Sequence, residues 1–255
     1  MEQIYTIPVN EAFEACAAAE EAACPFCALY NKYERDEIDL ILGASMMEPD
    51  IRKKTNEKGF CRTHFDLMLA YSKRLPLALI LESHLTEVRS KVRSGSFLAS
   101  MKAKGDAKKL ERLGESCYVC ERLDYNFDRA SETAVLLWEG DEAFRRKCAS
   151  QKMFCLPHYA LFLSLARERL DKKSFTSFYN DVSRVEGDYF EKIEGDVSFF
   201  VKKFDYRFTD EPWGDKKNAP ERAIGFLTSD VHKAVDGKRS SDGLSDSRGV
   251  PKSEK

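Results

Sequence analysis

"FCRTHF" occupies residues 60–65 and "FCLPHY" occupies residues 154–159. The second hexapeptide repeats the first with its cysteine and histidine in register. Each has a partner upstream: "CPFC" at Cys24–Cys27 and "CYVC" at Cys117–Cys120. The chain therefore reads CxxC, 33 residues, CxxH, and then CxxC, 34 residues, CxxH. This is an internal duplication of about 93 residues, and its length decides the fold class. Solenoid arrays use three or more shorter repeats, so two long copies point to a pseudo-twofold protein.

The periodicity around these motifs is helical nearly throughout. Asn10 can cap a helix through Phe13 and Cys16 toward Ala23. Pro25 sits in the favoured first-turn position of a helix through Leu29, Tyr33 and Leu40, ended by Gly43. Pro49 opens a short basic helix with Arg52, Lys53 and Lys54, and Gly59 breaks the chain before Cys61. A helix follows through His64 and Tyr71, and Pro76 marks a kink or a new helix start. The second half repeats the plan. One helix follows Cys117, a short basic one holds Arg145, Arg146 and Lys147, and another follows Cys155. A long helix spans roughly 172 to 205, and a short one begins near Pro220. No run of alternating strands is found. The expectation is an all-α fold of internally duplicated helical zinc-binding units in a pseudo-twofold arrangement. The boundaries are a first repeat at 1–98, a polar connector at 99–115, a second repeat at 116–208, a turn and helix at 209–229, and a disordered tail at 230–255.

Zinc favours four ligands in a tetrahedron, and three thiolates with one imidazole satisfy it. Residues i and i+3 share a helical face, so CxxC and CxxH each converge two ligands on one ion. Each pair also falls at a predicted helix start, where free N–H groups and the helix dipole stabilise the net negative charge of a Cys3His zinc site. The expected ligands are Cys24, Cys27, Cys61 and His64 for one ion and Cys117, Cys120, Cys155 and His158 for the other. The exchanged arrangement, first CxxC with second CxxH, is open in a duplicated fold. The near-equal spacings favour pairing within each repeat. Both zinc ions are expected to be structural, because four protein ligands leave no open position.

Other chemistries fit less of the pattern. CPFC alone could be a dithiol redox motif, but its usual βαβ context is missing and CxxH goes unexplained. An iron–sulfur cluster usually takes four cysteines. Cys16 reads as a small core residue and Cys148 as packing near the second site. His84 reads as a satisfied core or boundary histidine, and His232 as a solvated tail residue. No HExxH, GxSxG, Walker-type or GxGxxG motif appears, so the sequence gives no positive reason for enzyme activity.

Bulk properties set the remaining expectations. The net charge of -2 predicts no strong sequence-independent pull toward nucleic acid or anionic lipid. "KAKGDAKKLER" at 102–112 and the two basic helices keep a nucleic-acid-binding alternative open. No apolar segment is long enough for a membrane helix. The first 23 residues carry five Glu and no Lys or Arg, unlike a signal peptide. A cytoplasmic location follows, where eight cysteines read as ligands or core residues rather than disulfides. A protein partner is expected, with the Phe/Tyr-rich helix from 175 to 206 as a candidate contact surface.

Taken with the opening "YTIPVNEAF" and the ending "EPWGDKKNAPERAIGFLT", the duplicated motifs resemble an uncharacterised bacterial family associated with anaerobic Gram-positive bacteria, a domain of unknown function. The resemblance covers about residues 4–229. It implies a helical architecture and a cytoplasmic location, and brings no activity with it.

Overall fold

The computed structural model describes residues 3–93, 111, 116–208 and 210–232. Among them are ten α-helices and no strand. They are α1 (Gln3–Ala18), α2 (Pro25–Ile41), α3 (Pro49–Lys58), α4 (Arg62–Ala70), α5 (Arg74–Arg93), α6 (Tyr118–Gly140), α7 (Glu142–Ala149), α8 (Leu156–Arg169), α9 (Lys172–Lys202) and α10 (Ala219–Thr228). The fold is all-α, as the periodicity implies. Most of the expected connector lies outside the described residues, as do residues 233–255 of the expected tail.

The described residues form two compact units. One takes the chain up to Glu37 and from Cys120 to Val231; the other takes Ile38 to Val119, with His232. Each unit thus draws on more than one segment of the sequence.

The core of the first unit is aromatic. Phe13, Phe26, Phe144, Phe154, Phe162 and Phe178 are fully buried, and Trp138 lies edge-on to Phe178 at 5.1 Å. Ring pairs such as Phe26–Phe162, at 4.9 Å between centroids, hold near-perpendicular geometries favoured by the ring quadrupoles. α9 presents Phe178, Val182, Val185, Tyr189 and Ile193 as one buried stripe at helical spacing. α10 docks on α9 through Phe226 against Tyr189 and through Arg222, whose Nη2 donates to the buried Asp196 carboxylate at 2.9 Å.

α1 starts seven residues before the expected cap. Asn10 lies mid-helix, and its Nδ2 donates back to the Thr6 carbonyl. The reason is packing: Tyr5, Val9, Ala12, Phe13 and Cys16 make a buried stripe that runs through Pro8. Pro8 costs the helix one ladder bond, and the burial of that stripe outweighs it.

In the second unit α3 packs on α5. Arg52 donates to the Met46 and Leu79 carbonyls, and Ser83 donates to Asn56. His84 Nδ1 lies 3.0 Å from the Asn56 carbonyl, the satisfied boundary histidine expected from its helix. Two glycines are required by geometry. At Gly43 a Cβ would come within 2.8 Å of the Asp39 carbonyl oxygen, and Gly59 holds a positive φ of 64°. Pro76 falls in the first turn of α5, so it marks a new helix rather than a kink.

Candidate metal centres

All four motifs lie at helix starts. The Cys24 carbonyl accepts from Ala28, the Cys61 carbonyl from Phe65 and the Cys155 carbonyl from Tyr159, so each cysteine begins a helical ladder. Cys61 and Cys155 are the N-cap residues of α4 and α8, and Cys117 immediately precedes α6. Neither cysteine sulfur takes a cap hydrogen bond from its own helix, so the helix dipole is the helix's contribution at these positions.

These starts meet in two groups of four. Cys24, Cys27, Cys155 and His158 form one, and Cys61, His64, Cys117 and Cys120 the other; within each, the ligand atoms lie within 4.8 Å of one another. The eight expected residues are all present, and their partners are exchanged. The CxxC of each repeat meets the CxxH of the other, which corrects the pairing expected within repeats. α2 is the physical reason: its 14 residues beyond Cys27 carry the chain about 21 Å along the helix before the CxxH of the same repeat is reached.

The first group lies wholly in the first unit and is buried. Cys24 and Cys27 are 4% exposed, Cys155 is 0% and His158 8%. His158 Nδ1 lies 3.0 Å from the Cys155 sulfur, 3.3 Å from Cys27 and 3.7 Å from Cys24. Phe127 and Phe26 flank the imidazole at 5.3 and 5.9 Å. The loops beside the group are tied together: Gln151 donates to the Phe13 carbonyl at 2.8 Å, and Lys152 to the carbonyls of Ala19 and Glu20.

Burial pushes the Cys24 thiol up, yet contacts from the Cys155 and Cys27 sulfurs and from His158 outweigh it and hold Cys24 well below the ordinary thiol value. The Cys155 thiol is pushed up to about 12, chiefly by the Cys24 sulfur beside it. Cys27 is raised further, first by Cys155 and then by Cys24 and burial. Three sulfurs in so small a volume resist carrying three negative charges unless a cation offsets them. A divalent cation would deprotonate all three, so the donor set fits a thiophilic metal ion.

An outer layer surrounds this group. The Asp230 backbone N–H donates to the Cys27 sulfur at 3.3 Å, and Asn31 Nδ2 donates to the Asp230 carbonyl at 2.8 Å. Val231 packs against the aromatic core. Sequence reasoning placed these residues in the tail; a lone Asp–Val pair after α10 carries no signal of this role. Phe154 N–H donates to Glu186, whose other carboxyl oxygen is buried without a hydrogen bond. Burial above all pushes the Glu186 carboxyl up to about 7.

The second group has the same residue types. His64 Nδ1 lies 3.1 Å from the Cys61 sulfur and 3.3 Å from Cys117. His64 is fully buried and Cys117 nearly so, but Cys61 and Cys120 are half-buried. Cys120 stands one helical turn beyond Cys117 on α6. The segments that carry Cys61 and Cys117 are joined through the backbone. Tyr118 N–H donates to the Gly59 carbonyl at 3.0 Å, and the Ser116 hydroxyl donates to the Lys58 carbonyl. The His232 ring lies edge-on to His64 at 5.9 Å between centroids; His232 is exposed, as expected.

None of the eight cysteines is disulfide-bonded. Cys16 and Cys148 are buried outside both groups, and burial raises both thiols. Cys16 lies on α1 and Cys148 on α7, where its helix packs on α1 and α9. The basic helices are partly committed to the fold. Besides Arg52, Arg145 stacks over the Trp138 ring at 4.4 Å, and Arg146 pairs with Glu142. Apart from Glu111, the 102–112 stretch lies outside the described residues. No helix of the described residues is long and apolar enough to cross a membrane.

The fold and its sites define a class: an all-helical protein whose duplicated CxxC and CxxH motifs assemble two Cys3His groups able to hold metal ions. The chain belongs to the family of unknown function DUF6062, whose model matches residues 1–234. No curated protein and no solved structure matches it.

Proposed function

We propose that the protein is a cytoplasmic, zinc-stabilised helical module whose two zinc ions are structural and whose role is to engage a protein partner. The observation that carries the zinc reading is the joining of two distant helix starts by three cysteines and a histidine, twice over. Zinc suits this donor set, and a fully ligated ion leaves no coordination position for a substrate. In this reading each ion closes a long loop and contributes folding free energy directly. The unbridged cysteines support a reducing compartment. The end of α9 supports the partner: Val201, Phe204 and Tyr206 are 65%, 78% and 87% exposed. The intramolecular contacts of Arg52 and Arg145 favour a partner of this kind over nucleic acid.

Elemental analysis of the purified protein tests the metal and its pairing together. Two zinc ions per chain are expected. The double variant Cys24→Ser/Cys155→Ser should lose one, and Cys24→Ser/Cys61→Ser should lose both. The opposite pattern would restore pairing within repeats, and iron in place of zinc would overturn the structural-zinc reading.

A further inference from the structure

We propose that Cys61 and Cys117 form a thiol modification site, at which a hydroperoxide converts the half-buried metal centre into a disulfide and expels its ion. The inference rests on the reading of both groups as metal centres.

Three observations carry it. First, access differs: every residue of the buried group is 8% exposed or less, whereas Cys61 is half-buried. Second, Cys61 is the N-cap residue of the nine-residue helix α4, so no preceding helical turn blocks rotation of its side chain. Third, the resolving sulfur is already in place. The Cys61 and Cys117 sulfurs flank His64 Nδ1 at 3.1 and 3.3 Å and lie within 4.8 Å of each other. The bonds from Tyr118 to Gly59 and from Ser116 to Lys58 keep the two backbones side by side. Bridging then requires side-chain rotation rather than rearrangement of the fold, since a disulfide needs a short Cα–Cα separation.

The chemistry balances. The Cys61 thiolate attacks the hydroperoxide, the O–O bond breaks, and Cys61 becomes a sulfenic acid while the peroxide leaves as alkoxide or hydroxide. The Cys117 thiolate attacks the sulfenic sulfur, the S–S bond forms, and hydroxide departs and is protonated to water by a buffer acid, as is the alkoxide or hydroxide of the first step. Two electrons pass from the two sulfurs to the peroxide. A metal ion held there would keep only His64 and Cys120 as ligands and would be released. A dithiol reductant and fresh metal reverse the step.

At the buried group the same reagent meets a sealed site. Phe26 and Phe127 cover His158, and the Asp230 N–H occupies the Cys27 sulfur.

The test treats the full chain, loaded with both metals, with one equivalent of hydrogen peroxide. Released metal is followed with a chromogenic chelator, and bridges are mapped by mass spectrometry of unreduced peptides. One of the two ions should leave at least about tenfold faster than the other, a difference of about 1.4 kcal/mol in barrier. The released ion should accompany a Cys61–Cys117 bridge. In Cys117→Ser, a dimedone adduct should accumulate at Cys61. Equal release of both ions, first oxidation of the buried group, or a bridge that excludes either Cys61 or Cys117 would overturn the proposal. A purified protein that holds no metal would overturn the metal reading beneath it, and this is read before any peroxide is added.

Discussion

The two Cys3His groups are built from the same residue types in the same local turns, yet their surroundings differ. Around Cys24, Cys27, Cys155 and His158 the aromatic core closes completely, and a backbone N–H from Asp230 reaches the Cys27 sulfur. Around Cys61, His64, Cys117 and Cys120 two sulfurs remain half-buried. Ligand identity sets which ion a site can hold. Burial sets how tightly that site is tied to global folding and how readily it exchanges with solutes. A duplicated motif can therefore serve a core in one copy and an accessible surface in the other.

The largest expected effect comes from opening the sealed site. Phe26→Ala removes a ring that touches Phe13, Phe127, Phe154, Phe162 and His158, and should cost about 3–5 kcal/mol in chemical denaturation. Phe65→Ala, whose ring pairs with Phe60 beside the half-buried group, should cost less, about 1–2 kcal/mol. Equal losses would remove the distinction between the two settings.

Glu186 gives the next effect. Its carboxyl is pushed up to about 7 from an ordinary 4.5, chiefly by burial. Folding therefore favours its protonated form. That contribution is full below the ordinary value and is lost as pH climbs through 7, by about 2–3 kcal/mol. Glu186→Gln should remove this slope, leaving stability near pH 5 little changed and raising it near pH 8. An unchanged pH profile in thermal unfolding would show that Glu186 does not titrate in this range.

A strong chelator should withdraw one ion before the other, with rates at least about tenfold apart, and Cys61→Ser should abolish the fast phase. Two ions leaving in a single phase would contradict the contrast in burial. The smallest effect is expected at the exposed Arg62–Asp66 pair on α4. Asp66→Asn should leave the denaturation midpoint unchanged, because solvent screens so exposed a pair; a clear shift would mean that the pair supports Cys61 directly.

Much of this architecture was legible in the sequence. The proline at 25, the glycines at 43 and 59 and the repeated cysteines placed helix starts and stops within a few residues. All eight residues of the two groups could be read from spacing, because i and i+3 on one turn is a local relation. Their partnership could not. Equal gaps of 33 and 34 residues are a property of the duplication itself, so they are the same whether ligands pair within repeats or between them. The three-dimensional grouping of the helix starts decides between the two. The start of α1 was obscured by Pro8 and Asn10, two residues with strong local meaning that the buried stripe from Tyr5 to Cys16 overrides. The role of Asp230 was hidden for a different reason: it acts through its backbone, which any residue could supply.

The exchanged pairing also imposes an order on synthesis. The motifs close like nested brackets, with residues 61–64 and 117–120 inside 24–27 and 155–158. A ribosome finishes the inner pair at Cys120 and needs 38 more residues to reach His158. At about 5–20 residues per second, that leaves the early CxxC unpaired for roughly two to eight seconds after the inner site is complete. Repeats paired within themselves would instead complete their first site at His64, 56 residues before Cys120, and the motif left waiting would be the later CxxC. Nascent chains arrested before Cys155, on a linker long enough to clear the ribosome, should then carry one metal ion at the inner site. If no ion is held until residue 158 has emerged, the two brackets close together and the order is lost.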